Sequence, residues 1–308
     1  TQFVSSMLSY LLYFLKLTAE LVGLFFAISF LVGLGRYFIN PRSRLFQYAG
    51  KNKLLSAACG ALVGAVTPFC SCSTIPLFVG FIKSKVPFST SVAFLISSPI
   101  LNPAILTLMG VFFGARVAVL YGLCTFFFAV FFGLLLERLG FEKEVYDVNI
   151  TGGSEESLSW AELSGTTGEK IRTALRNSLI GSLLLLRKVF PYLLFGAAIG
   201  SVIHGVLPVS VVQKLSSIPG WLSIPVAAVV GIPLYLRTET IIPAATILQS
   251  CGLGPGVLIS LMIGGGGASI PEVSLLSSIF TKKMLTAFLL SVFIVACTTG
   301  FIFNQLLG

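Results

Sequence analysis

In this 308-residue chain 56% of side chains are hydrophobic and 10% charged, against roughly 45–50% and 25% in soluble domains. A soluble protein with an oversized core is excluded at that density. The net charge of +9 is carried by Lys and Arg in short connections between apolar segments, the pattern of the positive-inside rule, so it is not a nucleic-acid signal.

Spanning a bilayer takes about 20 apolar residues per helix. In chain order the candidates are Leu8–Gly35, Leu54–Ile82, Phe88–Gly114, Ala115–Leu136, Val189–Leu207, Ile218–Leu248, Gly254–Phe280 and Met284–Leu307. The first lacks a basic n-region and a cleavage site and is expected to be a span rather than a signal peptide. Its Lys16 and Glu20 stand i,i+4 and can neutralise each other. The second is interrupted by Thr67-Pro-Phe-Cys-Ser-Cys-Ser-Thr-Ile-Pro76, and the third by Ser97-Ser-Pro-Ile-Leu-Asn-Pro103.

Eight of the eleven acidic residues follow, between Glu137 and Glu169, in a Gly-, Ser- and Glu-rich stretch. It reads as a mobile polar linker with a short helix near Ser159–Leu163. Beyond it, His204 falls at a helix end and is expected at the interface. The sixth segment breaks at Pro233-Leu-Tyr-Leu-Arg-Thr-Glu-Thr-Ile-Ile-Pro-Ala244, and the seventh at Gly264–Gly267 and Pro271, with Glu272 next. Six cysteines (Cys59, Cys70, Cys72, Cys124, Cys251 and Cys297) lie in or beside apolar segments. Their spacing is not that of a disulfide framework, so most are expected to be free, buried thiols.

The two halves repeat. An offset of 167 pairs Gly33 with Gly200, Pro41 with Pro208, Gly64 with Gly231 and Pro76 with Pro243. An offset of 168 pairs Pro87 with Pro255 and Pro103 with Pro271, which implies one inserted residue between the blocks. Four crossings per half would make the repeats parallel. If the second segment of each half is instead a re-entrant hairpin, each half crosses three times and the repeats are inverted. Charge separates these alternatives. With Lys16 and Arg237 set aside, eighteen Lys and Arg remain; four crossings divide them nine and nine. Hairpins put sixteen on one side and leave only Arg116 and Lys214 on the other, and making the third segment re-entrant gives fourteen to four. The expected fold is therefore an all-α polytopic membrane protein of two inverted repeats. Each has about three transmembrane helices plus a re-entrant or broken hairpin. The first repeat covers 1–138, a cytoplasmic linker 139–170 and the second repeat 171–308. Both termini lie outside an inner (plasma) membrane.

Interrupted segments at corresponding places in two halves are the best sequence pointer to a transporter's binding site. Non-helical backbone at membrane depth survives only beside protein or a water-filled cavity. Pro68, Pro76, Pro233 and Pro243 each remove a backbone donor, and they mark the hairpin breaks together with Gly265 and Gly266. At the offset of 167, Cys70 corresponds to Arg237 and Cys72 to Glu239, so a Cys-x-Cys tip is expected to be juxtaposed with an Arg-x-Glu tip. Thiols opposite a fixed charge pair suit a soft, thiol-binding or anionic solute. Ser71, Ser98 and Asn102 can hydrogen-bond it, and Glu239 or Glu272 can carry a coupling proton. Blander roles stay open: Arg237 and Glu239 as a structural ion pair, and the glycines as helix-packing residues.

Thr67-Pro-Phe-Cys-Ser-Cys-Ser, with Ser98-Pro-Ile-Leu-Asn-Pro103 and Arg237-Thr-Glu-Thr, resembles the ArsP/YraQ-type predicted permeases over nearly the whole chain apart from the linker. The resemblance implies transport, with efflux of trivalent organoarsenicals (arsenical resistance) as the activity associated with some members. It also implies a thiol site at Cys70 and Cys72. The expected function is thus a permease, a secondary transporter that exports a small thiol-reactive or anionic solute by alternating access. A channel for a small neutral or anionic solute is the second reading. An intramembrane thiol oxidoreductase using Cys70 and Cys72 is the third, weakened by the strain of a Cys-x-Cys disulfide and the lack of a nearby His base. The sequence has no P-loop, and no enzyme activity, cofactor or metal is expected. The partners expected are the solute and the lipid bilayer, with homo-oligomerisation open and nucleic acid excluded.

Overall fold

The computed structural model describes residues 18–19, 22–23, 26–27, 29–31, 34, 52–67, 71–84, 86–146, 167–204, 219–234 and 253–307. From residue 52 on they form ten α-helices: α1 (Lys53–Val66), α2 (Ser71–Lys83), α3 (Phe88–Ile100), α4 (Pro103–Phe113), α5 (Ala115–Arg138), α6 (Thr167–His204), α7 (Gly220–Leu234), α8 (Pro255–Gly267), α9 (Ile270–Leu276) and α10 (Lys282–Leu307). A short 3₁₀ turn, Phe141–Glu144, follows α5.

Among the described residues three helical stretches are long and apolar enough to cross a membrane: Ala115–Arg138, Pro255–Leu276 and Lys282–Leu306. A fourth, α3 with α4, qualifies as a pair bent by 42° at its break. Sequence chemistry explains the bend. Asn102 precedes Pro103 and is held extended (φ −84°, ψ 159°), because a residue before proline avoids helical backbone. Its side chain then caps α4, with Oδ1 accepting from the Ile105 amide at 2.8 Å. The equivalent break in the second half falls at Ala268 and Ser269, the latter also extended. Between α4 and α5 the chain turns at Gly114, whose φ of +92° favours glycine.

The helices recur at a constant spacing. Lys53 and Gly220 open α1 and α7, Phe88 and Pro255 open α3 and α8, Pro103 and Ile270 open α4 and α9, and Ala115 and Lys282 open α5 and α10. Each pair is 167 apart. The inserted residue inferred from the prolines is therefore absent. Pro87 precedes α3 as its cap while Pro255 begins α8, and Pro103 begins α4 while Pro271 is the second residue of α9. Proline is tolerated at either place, since the first amides of a helix have no intrahelical partner.

Packing repeats with the same register. In the first half α1, α3 and α5 pack on one another, and in the second α7, α8 and α10 do. Gly64 of α1 abuts Phe94, Ser97 and Ser98 of α3, while Gly231 of α7 abuts Leu261, Gly264 and Gly265 of α8. Gly133 of α5 abuts Ser89 and Ala93, while Gly300 of α10 abuts Gly256 and Ser260. Small residues let helix backbones approach closely, which is how packing is gained where lipid is as apolar as the helices.

The expected boundaries shift in several places. The break in the second segment is confined to 67–70, because the helix resumes at Ser71; Pro76 lies inside α2, buried, rather than at a break. A proline there deprives α2 of one internal hydrogen bond without ending it. Pro233 likewise sits in the last turn of α7, and Gly265 and Gly266 in the last turn of α8. The fifth candidate span belongs to a single helix from Thr167 to His204, about 57 Å long at 1.5 Å per residue. Lastly, the start of the linker is fixed: Phe141–Glu144 and the residues after it pack on α5 and α10.

At one end of the bundle a single carboxylate gathers two distant points of the chain. Glu137, in the last turn of α5, is 2.7 Å from the Lys53 ammonium at the start of α1. Its other oxygen accepts from the Ser89 amide at 2.7 Å, in the first turn of α3. The hydrogen bond that Lys53 donates to Glu137 holds its ammonium above the ordinary lysine value. The chain from 53 to 89 therefore returns to within one side chain of where it set out.

Candidate transport site

The two interrupted segments meet where their helices end, at α3 and α8. Gly267, the last residue of α8, lies so close to Ile100, the last of α3, that a Cβ added to it would stand 2.7 Å from the Ile100 Cδ1. Residues 100 and 267 are equivalent at the spacing of 167, so the contact joins like to like. A break frees carbonyls at the end of each helix. The Ile100 carbonyl is taken by the buried Tyr121 hydroxyl at 2.9 Å. The Leu101 amide closes on Ser97 O at 2.7 Å, and the Ala268 amide on Gly264 O at 3.2 Å.

Polar side chains collect around this junction although its surroundings are apolar. Ser97, Ser98, Asn102, Ser269, Glu272 and Thr74 are all buried. A carboxylate or hydroxyl held away from water costs free energy unless something answers it. Ser98 makes that point sharply: its residue is fully buried, and its Oγ has no hydrogen-bond partner among the described residues. Both arms that flank the 67–70 break reach this neighbourhood. The last turn of α1 brings Gly64 against Ser97 and Ser98, and α2 packs on α9, which carries Glu272.

Of the residues singled out from sequence, Ser98 and Asn102 thus lie at the α3 break, and Glu272 lies on α9, which packs on α2. Asn102 spends its side-chain oxygen on capping α4. Pro68, Cys70, Arg237, Glu239 and Pro243 lie outside the described residues, and for Ser71, Cys72 and Pro233 only the backbone is described. Lys16, Glu20, Cys251 and the expected helix near Ser159–Leu163 are outside as well. Cys59, Cys124 and Cys297 are free thiols on α1, α5 and α10; Cys124 and Cys297 are half-buried, whereas Cys59, expected to be buried, is exposed on the apolar surface. Among the described residues no cluster of His, Cys, Asp or Glu could hold a metal ion. Sequence reasoning passed over Tyr121, Ser97, Thr74 and Ser269. Tyr121 had a readable signal, being a lone hydroxyl-bearing ring amid the aliphatic residues that open its span.

Comparison with known proteins fixes the class. The ArsP family, described as predicted permease, matches residues 6–305. The chain belongs to this permease family. It is also similar to the UPF0718 protein MJ0584 of Methanocaldococcus jannaschii, at 25% identity over 84% of this chain and 85% of the relative. A Streptococcus mutans protein named as a subunit of a two-component membrane permease complex is 32% identical over 33% of this chain and 34% of its own. The UPF0718 protein YcgR of Bacillus subtilis is 37% identical over 23% of this chain and 24% of its own. No solved structure matches the chain. The permease is accordingly a multi-pass membrane protein of nearly all-helical build.

Proposed function

We propose that this permease is a secondary transporter that exports a small, soft or anionic solute by alternating access around the junction of its broken segments. The observation that carries the reading is the meeting of α3 and α8 at Ile100 and Gly267, end against end, with buried polar groups around them. Half-helix ends facing one another at membrane depth form the kind of site a polar solute or coupling ion occupies in such folds.

An inverted arrangement of the halves is supported by two contacts. Helix α5 ends at Arg138 and the chain reaches Glu144, which is bonded to Thr281 and Lys283 at the start of α10. The equivalent helices α5 and α10 therefore have opposite ends at the same side of the bundle. Re-entry of the 53–83 segment is supported by Glu137, which receives both Lys53 and Ser89. Its helices of 14 and 13 residues span about 20 Å each at 1.5 Å per residue, less than the roughly 30 Å hydrocarbon core. The side holding Glu137 and the linker would be cytoplasmic in a plasma membrane, with both termini outside.

Within this reading Cys70 and Cys72 bind the solute as soft ligands, with Ser71, Ser98 and Asn102 as hydrogen-bonding neighbours. Arg237 holds an anionic group or orients Glu239. Glu239 or the buried Glu272 carries the coupling proton. Trivalent organoarsenicals are the substrate class suggested by the family resemblance and the thiol pair. The test is uptake into inverted vesicles of trivalent organoarsenicals and thiol-reactive anions, for wild type, Cys70→Ser and Cys72→Ser, with and without a pH gradient. Loss of uptake in both variants, with counterflow and gradient dependence in wild type, is the expected result. Full uptake in both variants would remove the thiols from the path and leave Arg237 and Glu239 with an anionic substrate. Gradient-independent flux without counterflow would make the protein a channel.

A further inference from the structure

The residues that follow α5 do more than connect the halves. Glu144 O accepts from the Thr281 amide at 3.0 Å, and Ile279 O accepts from the Tyr146 amide at 2.8 Å, leaving Val145 and Phe280 paired as a single antiparallel bridge. The Glu144 carboxylate accepts from the Thr281 hydroxyl at 2.7 Å and lies 3.6 Å from the Lys283 ammonium. The chemistry of α10 calls for this carboxylate. Its first turn holds Lys282 and Lys283 and no acid, a poor match for the positive end of a helix dipole. Glu144 supplies the missing negative charge from the start of the linker, while Thr281 Oγ1 accepts weakly from the Met284 amide at 3.4 Å.

Phe280, clamped in this bridge, turns its ring inward. It is buried, edge-on to Phe78 at 5.3 Å, and 6.4 Å from Phe288. Phe78 belongs to α2, the helix that leads back from the 67–70 break. One loop of the second half is thus gripped twice: by the 144–146 segment of the linker outside and by α2 of the first half within. The grip is mostly hydrogen bonds and one exposed ion pair, each weak in net terms, so it can open on the timescale of transport.

We infer that residues 144–146 and 279–281 form a cytoplasmic latch that closes the transport path on the linker side and must part for that side to open. The inference rests on the transport reading above, since a gate presupposes a path. In alternating access, contacts between the halves on one side break while those on the other form. These contacts couple directly to the hairpin arm through the Phe280–Phe78 pair.

Spin labels at the exposed Lys143 and Lys282, in nanodiscs, read the latch by pulsed distance measurement. The native chain should show a short distance and a minor longer one. Thr281→Val and Glu144→Ala should each raise the ratio of long to short by about fivefold to tenfold, as expected for losing one or two such hydrogen bonds. Glu144→Gln, which keeps an acceptor and preserves folding, should fall between. A single short distance in all variants that fold would overturn the latch. In parallel, a chain retaining only Cys72 is labelled from the cytoplasmic side with an impermeant maleimide. Faster labelling in the opened variants supports a gate over the hairpin tip. If the distance lengthens but labelling does not change, the latch moves and the placement of the tip in the path is what fails.

Discussion

Replacing Gly231 with alanine should force α7 and α8 apart. A Cβ built on Gly231 stands 2.6 Å from the Leu261 carbonyl oxygen and 2.9 Å from the Gly265 amide nitrogen. Both are backbone atoms in the interior of a helix and cannot rotate away. Non-bonded carbon prefers about 3.5 Å, so the helices must separate by roughly 1 Å. Overpacking of this kind costs about 1–3 kcal/mol, and alanine recovers only about 0.5–1 kcal/mol of helix propensity over glycine. The net loss is about 1–2 kcal/mol, or roughly 2–8 °C in melting temperature for a large domain. The equivalent Gly64→Ala should be milder. Its nearest neighbour is the Ser97 hydroxyl, which can swing aside, leaving Ser98 N at 3.0 Å and Phe94 O at 3.1 Å. Gly181, on α6, has nothing among the described residues within 4 Å of the added carbon, and its alanine variant should melt at or above wild type. Thermal unfolding of the purified protein in detergent, followed by fluorescence, ranks the three. A Gly231→Ala protein that melts at or above wild type would refute the close approach of α7 and α8.

Three further outcomes follow from named contacts. Tyr121→Phe removes the hydrogen bond to the Ile100 carbonyl at the α3 break; it should lower stability by about 1–2 kcal/mol because a buried acceptor is left unanswered, visible as a lower melting temperature with unchanged expression. Glu137→Ala should destabilise more than Lys53→Ala in the same assay, since Glu137 also holds the Ser89 amide, and equal effects would show that the α3 contact contributes nothing. Asn102→Ala should cost about 1 kcal/mol through the lost cap of α4, with Asn102→Asp retaining most of that stability; identical losses in both would point away from capping.

Much of the architecture is legible in the sequence because apolar length and Pro placement act locally. The break after Ile100 follows from Pro103, and the corresponding second-half break from the run that ends at Pro271. Register is harder to read. Pro87 and Pro255 look equivalent, yet one caps its helix and the other begins it. Matching prolines therefore locates a helix start only to within a residue, whereas matching the packed glycines 64 with 231 and 133 with 300 locates it without error. The roles of Glu137 and Glu144 are not readable at all. Both were counted with the acidic linker by composition, but each makes its partners through contacts 48 to 137 residues distant in sequence. Nothing local marks a carboxylate for such a task.

The two halves are alike in their packing and unlike in the residue types at their two interrupted segments. Packing glycines, helix starts and the junction at Ile100 and Gly267 repeat at a fixed spacing, as two copies of one scaffold would. At the same spacing the first tip holds Cys70 and Cys72 where the second holds Arg237 and Glu239. A structural repeat needs equivalent positions to pack equivalently, and packing cannot account for exchanging two thiols for a charge pair. Within the proposed function that asymmetry has a use: one half offers soft ligation and the other charge, so a solute bound between them is recognised by both halves. Ser98 extends the same contrast into the described core, because its equivalent is Gly265, which offers no hydroxyl. Chemistry and scaffold thus divide along different lines of one sequence, and exchanging Ser98 with Gly265 should leave the fold standing while altering what the junction binds.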